Sequence, residues 1–315
     1  MTTKFILGMR DAFFDVLYEI FKKDKSAVLI SADNGAPSLD KFWTDLPDQS
    51  FTVGIAEQQL IGMACGMAFE GRKVYTYAIA PFVTLRCYEQ VKLDMCAMNL
   101  PIVNIGIGAG YAYDIMGPTH HTTEDISIMR ALPNLVIHSP ADATAAAALA
   151  RIAHETASPQ YIRFDRTGIP DVYAGRNVRF EDGVIVTKQG RDLYIVATGV
   201  MVHEALKAAK NLEALGINAG VLDLCRLKPI NEELLLSHLQ DVGRAVTLEE
   251  HRLPGGMGSA IAEIFVDGGL HTPLLRIGQG DRFIYDLGGR ETIWELYGLD
   301  AASVTDKIVR WMGNK

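Results

Sequence analysis

Short, almost wholly apolar runs alternate with helix-period segments along this chain, and that alternation limits the fold more than any other feature. The runs at 27–31, 51–53, 73–78, 102–107, 135–138 and 161–164 read as strands buried on both faces. Helical patterns fall between them, at about 9–23, 56–69, 81–97, 123–131 and 140–156. Strands and helices in this order imply a parallel sheet covered on both sides. Ser139-Pro140 reads as an N-cap followed by a first-turn proline, and Pro81 opens the 81–97 pattern in the same way. Residues 168–190 change character, with Gly, Pro and charges and no helix period, and read as a linker holding a short hairpin. Apolar runs and amphipathic helices then resume. The expected fold is α/β: two open, mostly parallel sheets, each covered by helices. The expected division is a domain at 1–170, a linker at 171–190 and a second domain at 191–315.

Composition narrows the function. A length of 315 residues, 49% hydrophobic and 22% charged, suits a protein with large cores. The net charge of −8 argues against nucleic acid or an anionic membrane as partner, yet allows a local basic pocket for a phosphate. Cys65, Cys87, Cys96 and Cys225 show no CxxC spacing, so neither a zinc knuckle nor a dithiol motif is indicated. Reduced, buried thiols are expected. No apolar run reaches the ~18 residues of a membrane span, and the first residues lack the apolar core of a signal peptide. A soluble, cytoplasmic protein is the expectation.

Open α/β sheets bind ligands beyond the C-terminal ends of their strands. That rule gathers Asp33, Glu57, Phe82, the loop GAGYAYDIMGPTHHTTED and Arg166 at one edge. Each has a plainer reading. Glu57 can serve the helix dipole, but an acid beside so apolar a helix is partly desolvated, which suits proton exchange. Thr122 and Asp125 fit a capping box, which leaves His120 and His121 unexplained. Adjacent histidines diverge, so acid–base work or substrate hydrogen bonding fits them better than a metal. Phe82 and Arg86 lie four apart, on one helix face. Arg166 is either a surface residue or an anion clamp. Asp33 is also compatible with an Asx turn. IGIGAG leads into no helix, and PGGMGSA lacks the lysine of a phosphate loop.

Taken together, SADNGAPS (31–38), VGIAEQQLIGMACGMA (53–68), PFVTLRCYEQ (81–90), MGPTHHTTED (116–125), RFDRTGIP (163–170) and VTLEEHRLPGGMGSAI (246–261) resemble the C-terminal half of the transketolase and 1-deoxyxylulose-5-phosphate synthase family. The resemblance implies a pyrimidine-binding domain followed by the transketolase C-terminal domain, and thiamine diphosphate as cofactor. Glu57 matches the glutamate that hydrogen-bonds the cofactor's aminopyrimidine and promotes proton exchange at the thiazolium. Phe82 and Arg86 match positions beside that ring, and Asp33 an acid near the cofactor. His120 would hydrogen-bond substrate oxygens during catalysis. Arg166 would grip substrate phosphate, with Arg10 and Ser38 at further phosphate-contact positions. The family's acid four residues before the GPTH histidine is Met116 here, so Asp114 is the substrate-binding acid available.

The GDG-to-asparagine motif that holds Mg²⁺ and diphosphate in this family is absent. The resemblance therefore implies a separate chain carrying that site, a heterotetramer with two of each, and two-carbon ketol transfer from a ketose, often phosphorylated, to an aldehyde. A split synthase using pyruvate, a 2-oxoacid dehydrogenase β subunit and a silent scaffold remain as alternatives.

Overall fold

The computed structural model describes residues 7–32, 35–166 and 168–313, so Asp33 lies outside the described residues. Twelve strands are β1 (Ala27–Ser31), β2 (Ser50–Thr52), β3 (Lys73–Ile79), β4 (Ile102–Ile107), β5 (Val136–His138), β6 (Gln160–Phe164), β7 (Val184–Lys188), β8 (Leu193–Ala197), β9 (Ala219–Leu224), β10 (Arg226–Lys228), β11 (Ala245–Arg252) and β12 (Leu274–Gln279). They form a seven-stranded sheet in the order β10-β5-β6-β4-β3-β1-β2 and a five-stranded sheet in the order β12-β11-β8-β9-β7. The expected pair of mostly parallel sheets is what the chain builds. The antiparallel members are β10, against β5, and β7, against β9.

Burial explains the continuous apolar runs. Every residue of β1, β4 and β6 is buried, because helices cover both faces of the sheet. The helix Met9–Lys23 turns Phe13, Phe14, Leu17 and Phe21 inward at helical spacing. Phe14 meets Tyr77 of β3 edge-on, with centroids 5.2 Å apart. Each such ring contributes roughly 1.5–3 kcal/mol of burial.

Several local expectations change. The segment read as linker with a hairpin contributes β7, which pairs with β9 rather than with a neighbour in sequence. The helix after Ser139-Pro140 starts at Ala143, and Asp142 caps it by accepting from the Ala145 N–H. A buried carboxylate thereby takes the role assigned to Ser139. The Thr122–Asp125 capping box does not form. Asp125 is instead buried against Arg163 and Tyr161, at 2.8 Å from each. The pattern 81–97 is not one helix. It breaks after Ala80–Val83 and resumes at Tyr88–Gln90 before π-helical turns at Val91–Ala97. Asn104 of β4 takes the Val83 carbonyl at 2.8 Å and the Thr84 hydroxyl takes the Ala80 carbonyl at 2.7 Å, so the helical ladder loses its acceptors there. A helix at Pro37–Asp45 and the final helices, Arg290–Tyr297 and Ala301–Gly313, lie outside the helical patterns of the sequence.

Candidate active site

Glu57 opens the helix Glu57–Phe69 and is 3% exposed. The break in the 81–97 pattern turns Arg86 toward it. Arg86 Nη1 lies 2.7 Å from Glu57 Oε2, and its guanidinium carbon sits 4.1 Å from the centre of the Phe82 ring. A buried acid, a planar cation and an aromatic face are therefore stacked in sequence. The Phe82 ring continues the series, meeting His120 edge-on at 5.2 Å. His120 in turn lies 5.8 Å from the Tyr113 ring, and the Arg166 guanidinium rests over that same ring at 4.9 Å. Glu57, Arg86, Phe82, His120 and Arg166 thus come together in one row of contacts, here called the groove, with Tyr113 as a member that sequence motifs did not mark.

Charge and burial tune this row. Burial, reinforced by His121 and Arg86, lowers the His120 pKa from its ordinary value, favouring the neutral ring. Its Nδ1 lies 2.9 Å from the Thr119 hydroxyl, which orients it. Burial raises the Tyr113 phenol, opposed by the charges of Arg166 and Arg10. Arg10 is therefore near enough to Tyr113 for its charge to be felt there, while Arg166 lies directly over the ring. Arg10 itself holds Asp11 at 3.0 Å. Ser38 lies in the helix Pro37–Asp45, its hydroxyl buried. No carboxylate among the described residues pairs with Arg166.

Two candidates take other roles. Asp114 directs its carboxylate to the backbone N–H groups of Ile115 at 2.8 Å and Arg290 at 3.0 Å, so it faces the second half of the chain. His121 is buried; its Nε2 lies 3.2 Å from the Asp114 carbonyl and its ring packs on Tyr111. The glycine run before this loop has a steric task. Gly108 and Gly110 have φ of +97° and +59°, and a Cβ on them would collide with the Tyr113 ring and the Glu250 carboxylate. The four cysteines are all free and buried. Among the described residues no cluster of three or more His, Cys, Asp or Glu could hold a metal.

Two family models match the chain. Residues 7–171 match the transketolase pyrimidine-binding domain, and residues 182–304 the transketolase C-terminal domain. The chain is 34% identical to a subunit of the apulose-4-phosphate transketolase of Phocaeicola vulgatus over 95% of this chain and 96% of that protein. It is 35% identical to a 6-deoxy-6-sulfo-D-fructose transketolase subunit of a Clostridium species, over 94% and 92% respectively. A solved split-gene transketolase, an inactive β4 tetramer, superposes with a TM-score of 0.87 at 35% identity, covering 97% of this chain and 98% of that one. The chain belongs to the transketolase family, whose enzymes use thiamine diphosphate to transfer ketol groups. Within that family it corresponds to the C-terminal section: a 1-deoxy-D-xylulose-5-phosphate synthase from Caldanaerobacter subterraneus is 36% identical over 98% of this chain but only 50% of its own length.

The residues present fit the cofactor's pyrimidine end. Glu57 and Phe82 already hold a flat, donor-bearing group between them, in the form of the Arg86 guanidinium. An aminopyrimidine asks for the same two things, a carboxylate at its edge and an aromatic face.

Proposed function

We propose that this chain is the pyrimidine-side subunit of a two-chain transketolase, moving a two-carbon ketol unit from a phosphorylated ketose to an aldehyde. The observation that carries the reading is the buried Glu57, set at the mouth of the groove that runs past Phe82 and His120 to Arg166. Thiamine diphosphate, when bound, supplies the carbanion chemistry. Glu57 holds and exchanges a proton at the pyrimidine edge, and Phe82 packs against the ring once the Arg86 guanidinium swings aside to the ring's border. Neutral His120 hydrogen-bonds substrate oxygens. Arg166, with Arg10 and Ser38, receives the phosphate at the far end, where the guanidinium fork matches its oxygens.

A second chain would bring Mg²⁺ and the diphosphate site. Support comes from the shape of this one. Along the helix that Glu57 opens and beside it, large apolar side chains are open to solvent: Ile55, Phe69, Leu85 and Leu93 are 77%, 62%, 48% and 47% exposed. Gly62 and Gly66 have free space where a side chain would stand, so another helix can approach closely. We assign this face to assembly into a heterotetramer with two of each chain. The four buried free thiols support a cytoplasmic setting, and no helix among the described residues is long and apolar enough to cross a membrane.

Co-expression with a chain carrying the Mg²⁺–diphosphate motif tests the proposal. The expected result is a stable complex that transfers a ketol unit from a ketose phosphate, while this chain alone is inactive. Mg²⁺-dependent turnover by the single chain would overturn the two-chain reading, and a complex that uses only pyruvate would favour the split synthase.

A further inference from the structure

Two loops present the groups that face substrate, and both are fastened to one side chain from the far end of the sequence. The first loop follows β4 and carries His120. The second follows β6 and carries Arg166. Arg290 opens the helix Arg290–Tyr297 and reaches both. Its Nη1 donates to Asp165, next to Arg166, at 2.5 Å. Its Nη2 reaches the Ala109 carbonyl at 3.4 Å, at the root of the His120 loop, and its backbone N–H donates to Asp114 at 3.0 Å. The remaining edge of the guanidinium grips both carboxylate oxygens of Glu250 on β11, at 2.8 and 2.5 Å. Trp294 Nε1 fixes Glu250 in turn at 2.5 Å.

The surrounding contacts make this a rigid joint. The His120 loop is closed on itself by paired hydrogen bonds between Gly110 and Thr122, of 3.0 and 2.8 Å. Its root is tied to β6, where Gly108 and Ala109 both donate to the Phe164 carbonyl. Its far side is held by the Arg252 N–H on the Thr123 carbonyl at 2.9 Å and by Arg252 on Glu124 at 3.2 Å. Asp165 and Glu250 are almost fully buried, with side chains 2% and 4% exposed, and a buried carboxylate needs a close cation such as Arg290 to stay charged. The guanidinium fork is what permits three acceptors to be served at once; a lysine ammonium on a flexible stem has no such fixed geometry.

We infer that Arg290 is a positioning residue that holds the His120 loop and the Arg166 loop at a fixed separation, and thereby sets the fit of a phosphorylated ketose. This rests on the reading of the groove as a ketose phosphate site. It assigns the second half of the chain a part in substrate fit.

The test uses the full chain and its reconstituted complex. Arg290→Lys keeps the charge and loses the fork. Arg290→Met combined with Asp165→Asn and Glu250→Gln removes the whole cluster without stranding a buried charge. Amide hydrogen exchange in the chain alone should quicken in residues 108–124 and 164–166 while the helix Met9–Lys23 keeps its protection. In the complex, KM for a phosphorylated ketose should rise about tenfold with kcat within about threefold, and KM for the same ketose without phosphate should change much less. Unchanged exchange in both loops would overturn the inference. So would faster exchange with both KM values at the wild-type level, because that describes a purely structural joint. If the wild-type complex accepts no ketose, the proposed function fails, and hydrogen exchange alone then decides whether Arg290 joins the two loops.

Discussion

The two ends of the groove are finished differently. At the Glu57 end, the acid is buried beneath an arginine, and the surface around it is apolar, lined with small residues and open. At the Arg166 end, the second half of the same chain has closed the structure, with Arg290, Glu250 and Arg252 binding the substrate loops from behind. β10 adds to this closure, since it leaves the second half to pair with β5, setting Arg226 opposite His138. A cavity of about 570 Å³ remains where the halves meet, lined in part by Arg166, Asp114, His203 and Trp294. The contrast teaches where another chain is needed. On the proposed reading, substrate recognition is organised in cis, whereas cofactor recognition is left half-built, with the Arg86 guanidinium standing in the place of a flat ring.

Replacing Glu57 should do the most damage, because on the proposed reading it removes the group that exchanges a proton with the cofactor at the open end. In the reconstituted complex, Glu57→Ala should slow exchange of the cofactor's thiazolium C2 proton by about 10²–10⁴-fold, followed by NMR in deuterated buffer. The closed end should be untouched, so the variant still binds a phosphorylated ketose at the wild-type concentration range. Normal C2 exchange would remove Glu57 from its role and, with it, the distinction between the two ends.

How much of this is legible in the sequence follows the same division. The limits of β1, β4 and the helix Met9–Lys23 fall where apolar runs and helical period place them, because burial alone sets those patterns. The open end is legible too, since Glu57, Phe82 and Arg86 lie on short local motifs. At the closed end His120 and Arg166 also lie on motifs, but what fastens their loops is not legible. Asp114 and Arg290 are 176 residues apart in sequence, and Arg290 carries no periodic or motif signal. Asp125 reads as a capping residue because TTED satisfies the local rule. Its real partner, Arg163, is 38 residues away, and the buried ion pair outcompetes the cap. The break after Val83 has the same origin: helical period continues through it, but Asn104 on a neighbouring strand takes the carbonyl. Pattern reading registers which face is apolar; it does not register which distant polar group claims a backbone acceptor.

Arg166 gives an intermediate effect, confined to the closed end. A charge-assisted contact to phosphate is worth about 1.5–3 kcal/mol, so Arg166→Ala should raise KM for a phosphorylated ketose by about 10–100-fold. The unphosphorylated ketose should lose little, and C2 exchange should stay normal. Equal losses on both ketoses would show that the residue shapes the groove without receiving an anion.

The smallest effect is also the one that links the two ends. His120 belongs to the closed end, yet Arg86, from the open end, is one of the groups that lower its pKa, after burial and alongside His121. The sign follows from the charges. A neighbouring cation disfavours the imidazolium, so His120 stays neutral below the ordinary histidine value of about 6.5 and charges only at lower pH. A titration of the His120 ring protons by NMR, on the chain alone, should give a midpoint below that value. Arg86→Met removes the cation and should move the midpoint upward, leaving the shift caused by burial and by His121 in place. A midpoint that does not move would mean that Glu57, 2.7 Å from Arg86, neutralises its field before it reaches the histidine. The two ends would then be electrostatically separate, and anything that displaces Arg86 from Glu57 would be invisible at the substrate groove. A midpoint that does move makes the arginine a messenger: its departure from the Phe82 ring would be felt by His120, whose ring centre lies 5.2 Å from that of Phe82.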